Sequence, residues 1–195
     1  MRPVDLRKDY EKIKDQGRKN RLLLNKTQIN FVVRLFANII YNKYTEDSSQ
    51  KEILSFSLLE GGKYFGNDLA SEIEKLGAPI YNKEVKVTSY KDNHNPGNFE
   101  LNDNFGNIEG KDILVFDDLI DTGNTLERLT AYLHDEKKVK SVSYYLLLDK
   151  MDARKEGFSI PYTSGFIVPD RWVFGYGMDD HGKNRELKDI YIKSG

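Results

Sequence analysis

The feature that most constrains the fold is a stretch at residues 113–125, which reads ILVFDDLIDTGNT. Four apolar residues lead directly into two adjacent carboxylates, and a third carboxylate, a glycine and two threonines follow. An uninterrupted apolar run predicts a strand that is buried on both faces. The next residues, 124–136, place Leu126, Leu129 and Leu133 at helical spacing. The stretch therefore predicts a strand, a tight acidic turn and an amphipathic helix.

Helices and strands alternate along most of the chain. Apolar residues at helical spacing predict further helices at 27–43 and 63–76, and a charged surface helix is predicted at 4–17. Strands are predicted at 52–59, 84–90, 112–116, 141–149, 164–168, 172–177 and 189–193. This alternation is typical of an α/β fold whose central sheet is mostly parallel and flanked by helices. In such folds ligands bind beyond the carboxyl ends of the strands, which is where the acidic turn lies.

Composition narrows the class of protein. With 195 residues the chain is expected to form one domain around one core. Its formal net charge is −1, so it has no overall basic field of the kind that holds nucleic acid. It has no cysteine, which excludes disulfides and thiolate chemistry. No apolar stretch approaches the roughly 20 residues of a spanning helix, and the charged start of the chain resembles no secretory signal. A cytoplasmic protein is expected.

The acidic turn combines groups that suit the parts of a phosphorylated sugar. The start of a helix offers free backbone N–H groups and a positive dipole end to a phosphate, and Gly123 lets the backbone approach closely. Asp117 and Asp118 would repel a phosphate, but they can accept hydrogen bonds from a ribose diol of the same ligand. The simpler alternative is that the carboxylates only end a strand and cap a helix. The full combination of apolar strand, D-D-x-x-D-T-G-x-T and amphipathic helix favours a ligand site.

This string resembles the motif that binds phosphoribosyl pyrophosphate (PRPP) in the type I phosphoribosyltransferases. Two later stretches, LLLDK at 146–150 and GFIVPDRWVFGYGMDDHGKNRELKDIYI at 165–192, resemble the base-binding half of the hypoxanthine-guanine members of that family. The resemblance covers roughly residues 50–193. It implies a type I phosphoribosyltransferase-like fold with a small hood formed by the N- and C-terminal segments.

The same resemblance implies one domain over residues 1–195, with a base-binding hood segment at about 165–195 and a mobile lid at about 89–107. Ser89 and Tyr90 match the start of the lid. A lid would exclude water from an oxocarbenium-like transition state.

The resemblance also implies roles for individual residues. Asp117 and Asp118 would contact the ribose hydroxyls, and Asp121 would be a general base or acid near purine N7. The 5′-phosphate would bind in the turn formed by Asp121, Thr122, Gly123, Asn124 and Thr125.

On the purine side, Lys150 would donate to the 6-oxo group, which favours an oxopurine over adenine. Trp172 would stack on the base, the backbone of Val173 would contact its edge, and Ile120 would form an aliphatic wall. Asp179, which also borders the purine, would bind Mg²⁺ bridged to pyrophosphate.

Pyrophosphate would be held by Arg185, whose forked donors suit it, and by backbone N–H groups of the loop that contains Glu60 and Gly61. Glu60 departs from the family, which usually has Lys or Arg at this position. A carboxylate beside pyrophosphate weakens the attraction unless it points away or pairs with a cation such as Lys63.

The implied activity is transfer of the 5-phosphoribosyl group from PRPP to hypoxanthine or guanine, giving IMP or GMP and pyrophosphate, with Mg²⁺ as cofactor. Two alternatives stay open at this point: a phosphoribosyltransferase that prefers xanthine, and a non-catalytic PRPP-sensing regulatory protein. The resemblance also implies a homodimer or homotetramer. Neither nucleic acid nor a membrane is expected as a partner.

Overall fold

The computed structural model describes residues 2–13, 20–45, 52–89, 99–102 and 106–193. Its helices are α1 (Arg7–Ile13), α2 (Lys26–Thr45), α3 (Gly62–Lys75) and α4 (Asn124–Asp135). Its strands are β1 (Val4–Asp5), β2 (Asn20–Leu24), β3 (Ile53–Leu59), β4 (Ile80–Ser89), β5 (Phe99–Asn102), β6 (Asp112–Ile120), β7 (Ser141–Asp149), β8 (Tyr162–Ile167), β9 (Val173–Phe174) and β10 (Ile190–Lys193). A short 3₁₀ turn, Met151–Ala153, follows β7.

The main sheet has seven strands in the order β1-β8-β7-β6-β3-β4-β5. All neighbouring pairs are parallel except β4 and β5, which are antiparallel. The predicted α/β class with a mostly parallel sheet is therefore confirmed. Because β6 lies between β3 and β7, the carboxyl ends of these three strands meet at the same edge of the sheet.

Helices cover both faces of the sheet, and this explains the apolar run in β6. Leu114 and Phe116 belong to the core that β6 shares with α2 and α3, whereas Ile113 and Val115 belong to the core under α4. Successive side chains of a strand point to opposite faces, so a strand covered on both sides is apolar at every core position.

A second sheet forms the predicted hood. Its three strands pair antiparallel in the order β2-β10-β9, so it joins an N-terminal segment to two C-terminal ones. Asp189, just before β10, accepts the backbone N–H of Lys26 at 2.8 Å. Asn25 and Gln28 accept each other's backbone N–H at 2.9 and 3.0 Å and cap α2. The hood is thereby tied to the start of α2.

The N-terminal segment differs from the prediction. Residues 4–17 do not form one helix, because Val4 and Asp5 pair with β8 at the edge of the main sheet. The Asp5 carboxylate accepts the backbone N–H of Arg7 at 3.0 Å, so α1 begins only there. β2 is absent from the prediction because its five residues, NRLLL, show neither strict alternation nor a bounding turn.

Candidate active site

Asp117 and Asp118 lie near the carboxyl end of β6, opposite the loop that follows β3. The backbone N–H of Asp118 donates to Asp117 Oδ1 at 3.0 Å. A Cβ on Gly61 would lie 2.0 Å from Asp118 Oδ2, and a Cβ on Gly62 would lie 2.8 Å from Asp117 Oδ1. Any side chain at these positions would displace the carboxylates. Glycine is therefore required for the loop and the acidic pair to approach each other.

The environment of Asp117 and Asp118 changes how readily their carboxyl groups ionise. Burial raises the pKa of both carboxyl groups. The pKa of Asp117 is raised well above its ordinary value, first by burial and then by the negative charge of Asp118. A ligand that brings hydroxyl donors or a cation would stabilise the charged pair.

The turn after β6 leads directly into α4. Gly123 precedes the first helical residue and has a φ of 90°, a left-handed conformation that glycine adopts without strain. The Thr122 hydroxyl accepts the backbone N–H of Asn124 at 3.4 Å. Asn124 and Thr125 line a cavity of about 310 Å³ together with the acidic pair. The acidic pair predicted for the ribose and two of the residues predicted for the phosphate, Asn124 and Thr125, thus border one cavity.

A second cavity of about 420 Å³ adjoins the first and contains Lys150. The Lys150 side chain is 9% exposed, and its Nζ lies 3.7 Å from Asp121 Oδ2 and 3.6 Å from Asp170 Oδ1. The backbone N–H of Lys150 donates to the Ile120 carbonyl at 3.0 Å, which holds the ends of β6 and β7 together. The residues that border both cavities are Leu59, Gly61 and Asp118.

The hood forms one wall of the second cavity through Trp172, Val173 and Met178. Trp172 is 51% exposed, and its ring lies nearly parallel to that of His181, with centroids 6.1 Å apart and an interplanar angle of 11°. An indole with this much exposed surface is available for stacking.

Ile120 does not lie where the sequence predicts. It is 1% exposed and packs in the core under α4, whereas its neighbour Leu119 lines the second cavity. Adjacent side chains of a strand point to opposite faces, so only one of the two reaches the cavity. The aliphatic side chain of this strand end that lines the second cavity is therefore Leu119 and not Ile120.

Arg185 is held in the second cavity by Asp179 and by the backbone of the hood. Its Nη2 lies 2.8 Å from Asp179 Oδ1, and its Nη1 donates to the Gly177 carbonyl at 2.6 Å. The other oxygen of Asp179 accepts the backbone N–H of Gly182 at 2.7 Å. Arg185, predicted to bind pyrophosphate, and Asp179, predicted to bind the metal, therefore both line the second cavity.

Glu60 pairs with a cation, but not with the predicted one. Its Oε2 lies 3.5 Å from Arg185 Nη2, whereas Lys63 bonds Glu84 at 3.0 Å. The peptide bond between Leu59 and Glu60 is cis. Among the residues that the structure describes, four carboxylates and three cations line the second cavity: Glu60, Asp118, Asp121 and Asp179, with Lys86, Lys150 and Arg185.

The predicted lid lies mostly outside the described residues. Ser89 ends β4, where its partner across the antiparallel pair is Phe99 of β5. Tyr90 and residues 91–98 and 103–105 are not described. The lid stays a prediction.

Several charged residues near the site are absent from the prediction. Arg128 lines the first cavity and Lys86 lines the second. Arg154, 13% exposed at its side chain, bonds the buried Asp149 at 2.5 Å. The sequence around Arg128, Lys86 and Arg154 has no pattern that distinguishes them from the many Lys and Arg residues exposed to solvent. Asp149 alone carries a signal, since it directly follows the buried run LLL.

A parallel sheet covered on both faces, with a helix start and polar side chains at one strand end, is typical of α/β proteins that bind phosphorylated ligands. Residues 25–181 match the phosphoribosyl transferase domain family, and the chain belongs to this family. The predicted enzyme class, a pentosyltransferase, is confirmed by this membership.

Individual relatives agree with this assignment. The chain is 32% identical to a hypoxanthine-guanine phosphoribosyltransferase of Aquifex aeolicus over 179 residues, which cover 91% of this chain and 96% of that protein. It is 32% identical to a hypoxanthine-guanine-xanthine phosphoribosyltransferase of Tritrichomonas foetus, with 88% and 90% of the two chains covered. A solved hypoxanthine phosphoribosyltransferase of Trypanosoma cruzi has a TM-score of 0.78 at 27% identity, with 89% and 94% covered. These similarities confirm the predicted fold class and family resemblance.

Among the described residues, none of the helices has the length and apolar character that crossing a membrane requires.

Proposed function

We propose that the protein transfers the 5-phosphoribosyl group of PRPP to a 6-oxopurine, hypoxanthine or guanine, forming IMP or GMP and pyrophosphate. The observation that carries this proposal is the position of Lys150. Its nearly buried ammonium lies 3.7 Å from the Asp121 carboxylate, in a cavity that Trp172 borders. A donor for an oxo group, a proton acceptor and a stacking surface therefore share one space.

The first cavity suits the sugar and its phosphate. Asp117 and Asp118 accept hydrogen bonds from the two ribose hydroxyls, and these bonds offset the burial that raises their pKa values. The 5′-phosphate binds the backbone N–H groups and hydroxyls of the turn before α4, from Thr122 to Thr125.

The base binds between Trp172 and Leu119. Lys150 donates to O6 of an oxopurine. Adenine presents an amino group there instead of an acceptor, so the nearly buried ammonium would face another donor. The backbone of Val173 contacts the edge of the base, and Asp121 faces N7.

In the reaction, the bond between C1′ and the pyrophosphate oxygen breaks and a bond between C1′ and a purine nitrogen forms. Pyrophosphate leaves with the electron pair, and Arg185 stabilises its charge. The loop of Glu60 and Gly61 presents backbone N–H groups to it. Asp121 accepts the proton that the purine loses. A lid that begins at Ser89 and Tyr90 excludes water.

Mg²⁺ is the cofactor in this proposal, and the residues present fit it. In substrate-phosphate sites Mg²⁺ uses one or two carboxylates, and waters and phosphates complete its shell. Asp179 supplies a carboxylate on the wall of the second cavity, where Arg185 and the Gly182 N–H orient it. The acidic pair, whose pKa values burial raises, is stabilised by a nearby cation. The bound ion supplies charge stabilisation to pyrophosphate.

The proposal extends to assembly and location: a single domain that forms a cytoplasmic homodimer or homotetramer. Phe31 on α2 and Tyr81 on β4 are 66% and 56% exposed, and a second copy could cover such surface. The net charge of −1 gives no support to a nucleic-acid partner. Light scattering of the purified protein measures the number of copies, and a monomer at micromolar concentration would refute the oligomer.

The test is pyrophosphate release from PRPP with and without Mg²⁺, in parallel reactions with hypoxanthine, guanine, xanthine and adenine. Asp121→Asn removes the proposed proton acceptor. Asp170→Asn is the matched control, because it removes a carboxylate at nearly the same distance from Lys150. We expect turnover with hypoxanthine or guanine and not with adenine, a loss of turnover in Asp121→Asn, and a much smaller loss in Asp170→Asn.

Two other results would change the conclusion. Turnover that is fastest with xanthine would correct the substrate. No turnover with any base, together with a melting temperature that PRPP still raises, would refute the enzyme and favour a PRPP-binding regulator.

A further inference from the structure

Residues 154–158, which we call the bracing segment, lie against the back of the turn that precedes α4. The Arg154 guanidinium donates through Nη1 to the Asp121 carbonyl, and the backbone N–H of Lys155 donates to the Thr122 carbonyl at 3.2 Å. The Lys155 ammonium also pairs with Glu127 of α4. Consecutive residues of the bracing segment thus hold consecutive residues of the turn.

These two bonds determine which way the peptide groups of the turn face. In a planar trans peptide the C=O and the N–H point in opposite directions. A donor bound to the Asp121 carbonyl therefore directs the N–H of Thr122 away from the bracing segment. The bond to the Thr122 carbonyl does the same for the N–H of Gly123. Both N–H groups are directed to the side of the turn on which a phosphate would bind.

Phe158 completes the support. A Cβ on Gly123 would lie 2.4 Å from Phe158 Cδ2, so the ring packs directly on the glycine backbone. The turn cannot move toward the bracing segment without meeting this ring. It is thus held in position by two hydrogen bonds and one close packing contact.

Arg154 is itself held rigidly. Its Nη2 bonds Asp149 Oδ1 at 2.5 Å, and its guanidinium lies over the Phe158 and Tyr162 rings, 5.1 and 5.3 Å from their centroids. Asp149 is 2% exposed and also accepts the Tyr162 hydroxyl at 2.9 Å. Arginine is suited to this place because its fork reaches two acceptors in different directions, whereas a lysine ammonium is a single point of charge.

We propose that Arg154 is a positioning residue for the 5′-phosphate site. It connects the buried Asp149 at the end of β7 to the carbonyl of Asp121 and so holds the N–H groups of the turn in the orientation that binds a phosphate. This inference rests on the proposed function, since it assigns the turn to the 5′-phosphate of the substrate. Arg154 touches neither cavity and takes no part in the chemistry itself.

The experiment measures binding and not turnover, with ribose 5-phosphate and pyrophosphate as separate calorimetric probes. Arg154→Lys keeps a positive charge beside Asp149 but cannot span both acceptors. We expect its dissociation constant for ribose 5-phosphate to rise roughly tenfold, the scale of one charge-assisted hydrogen bond, while that for pyrophosphate is unchanged. Ser164→Ala is the matched control, because it removes a hydroxyl that donates to the other oxygen of Asp149 at 3.4 Å, and it is expected to change neither constant.

A second variant tests the same inference if Arg154→Lys does not fold. Lys155→Pro removes the N–H that binds the Thr122 carbonyl and leaves the buried ion pair of Arg154 and Asp149 intact. It also removes the ammonium that pairs with Glu127, and Lys155→Ala, which removes the ammonium alone, is its control. Arg154 has φ −63° and ψ 131°, the extended conformation that a residue before proline requires. We expect the same selective loss of ribose 5-phosphate binding.

Three results would overturn the inference. These are unchanged ribose 5-phosphate binding in folded variants, an equal loss for both probes, and a wild-type protein that does not bind ribose 5-phosphate. Failure of the proposed function gives a different result: wild-type protein that binds ribose 5-phosphate but releases no pyrophosphate from PRPP with any purine. In that case the variants still decide whether Arg154 positions the phosphate site.

Discussion

Replacing Glu60 with glutamine is expected to strengthen the binding of PRPP and pyrophosphate. Glu60 lies 3.5 Å from the Arg185 guanidinium, the group we assign to pyrophosphate. Its carboxylate therefore competes with the ligand for that cation and also repels the ligand's own charge. The Glu60→Gln substitution retains the shape of the side chain and the backbone of the loop, while removing one of the carboxylates that line the second cavity.

The size of the effect follows from the distance and the exposure of the pair. In water, two unit charges 3.5 Å apart interact by about 1 kcal/mol. The Glu60 and Arg185 side chains are 58% and 33% exposed, and pairs with this exposure contribute about 0.2–1 kcal/mol. We expect the dissociation constant for pyrophosphate and the KM for PRPP to fall by a factor of about 1.4 to 5. The gain should shrink as ionic strength rises.

The assay is titration calorimetry with pyrophosphate at low and high salt, with the KM for PRPP as a second readout. Glu72→Gln is the matched control. Glu72 lies on α3, where it pairs with Lys75 at 2.6 Å, so its replacement changes the net charge equally but away from both cavities. Weaker binding in Glu60→Gln, or a gain no larger than in Glu72→Gln, would refute the reasoning.

Three further substitutions test other parts of the site. Gly61→Ala would place a Cβ 2.0 Å from Asp118 Oδ2. The strain should destabilise the fold by about 1–3 kcal/mol and weaken ribose 5-phosphate binding; thermal unfolding and calorimetry would show this, and wild-type values would contradict it. Trp172→Ala should weaken purine binding by about 1–3 kcal/mol with an unchanged KM for PRPP, measured by steady-state kinetics, and equal effects on both substrates would argue against a stacking role. Asp117→Asn should stabilise the fold by about 1 kcal/mol at pH 7 while impairing PRPP binding. Because the pKa of Asp117 is raised in the folded protein, the folded state keeps a proton that the unfolded chain releases above its ordinary value of 3.8. Wild-type stability therefore falls as the pH rises from that value to the raised pKa, and the gain in Asp117→Asn grows over the same range. Urea unfolding at pH 4 and pH 7 measures the free energy of unfolding of both proteins. An equal gain in stability for Asp117→Asn at the two pH values would be inconsistent with a raised pKa of Asp117.

The strand–turn–helix at residues 113–125 could be predicted because its signals are local. An apolar run, adjacent carboxylates, a glycine and leucines at helical spacing each report on a few neighbouring residues. Resemblance to a known family then related Lys150 and Trp172 to the same site, although they lie in distant parts of the chain. The error at the end of β6 has a tertiary cause. The sequence placed the cavity wall at Ile120 instead of Leu119, since the orientation of a side chain at a strand end depends on how the sheet is covered.

Sequence alone determined the fold class, the family and the chemical types of the groups at the site. Only the tertiary structure decided which groups meet: Gly61 beside Asp118, Glu60 beside Arg185, and Arg154 on the Asp121 carbonyl. The physical reason is that these contacts depend on the order and register of β3, β6 and β7 and on how the hood packs over their ends. A charged side chain has the same appearance in the sequence whether it is solvated or held by a partner from another strand.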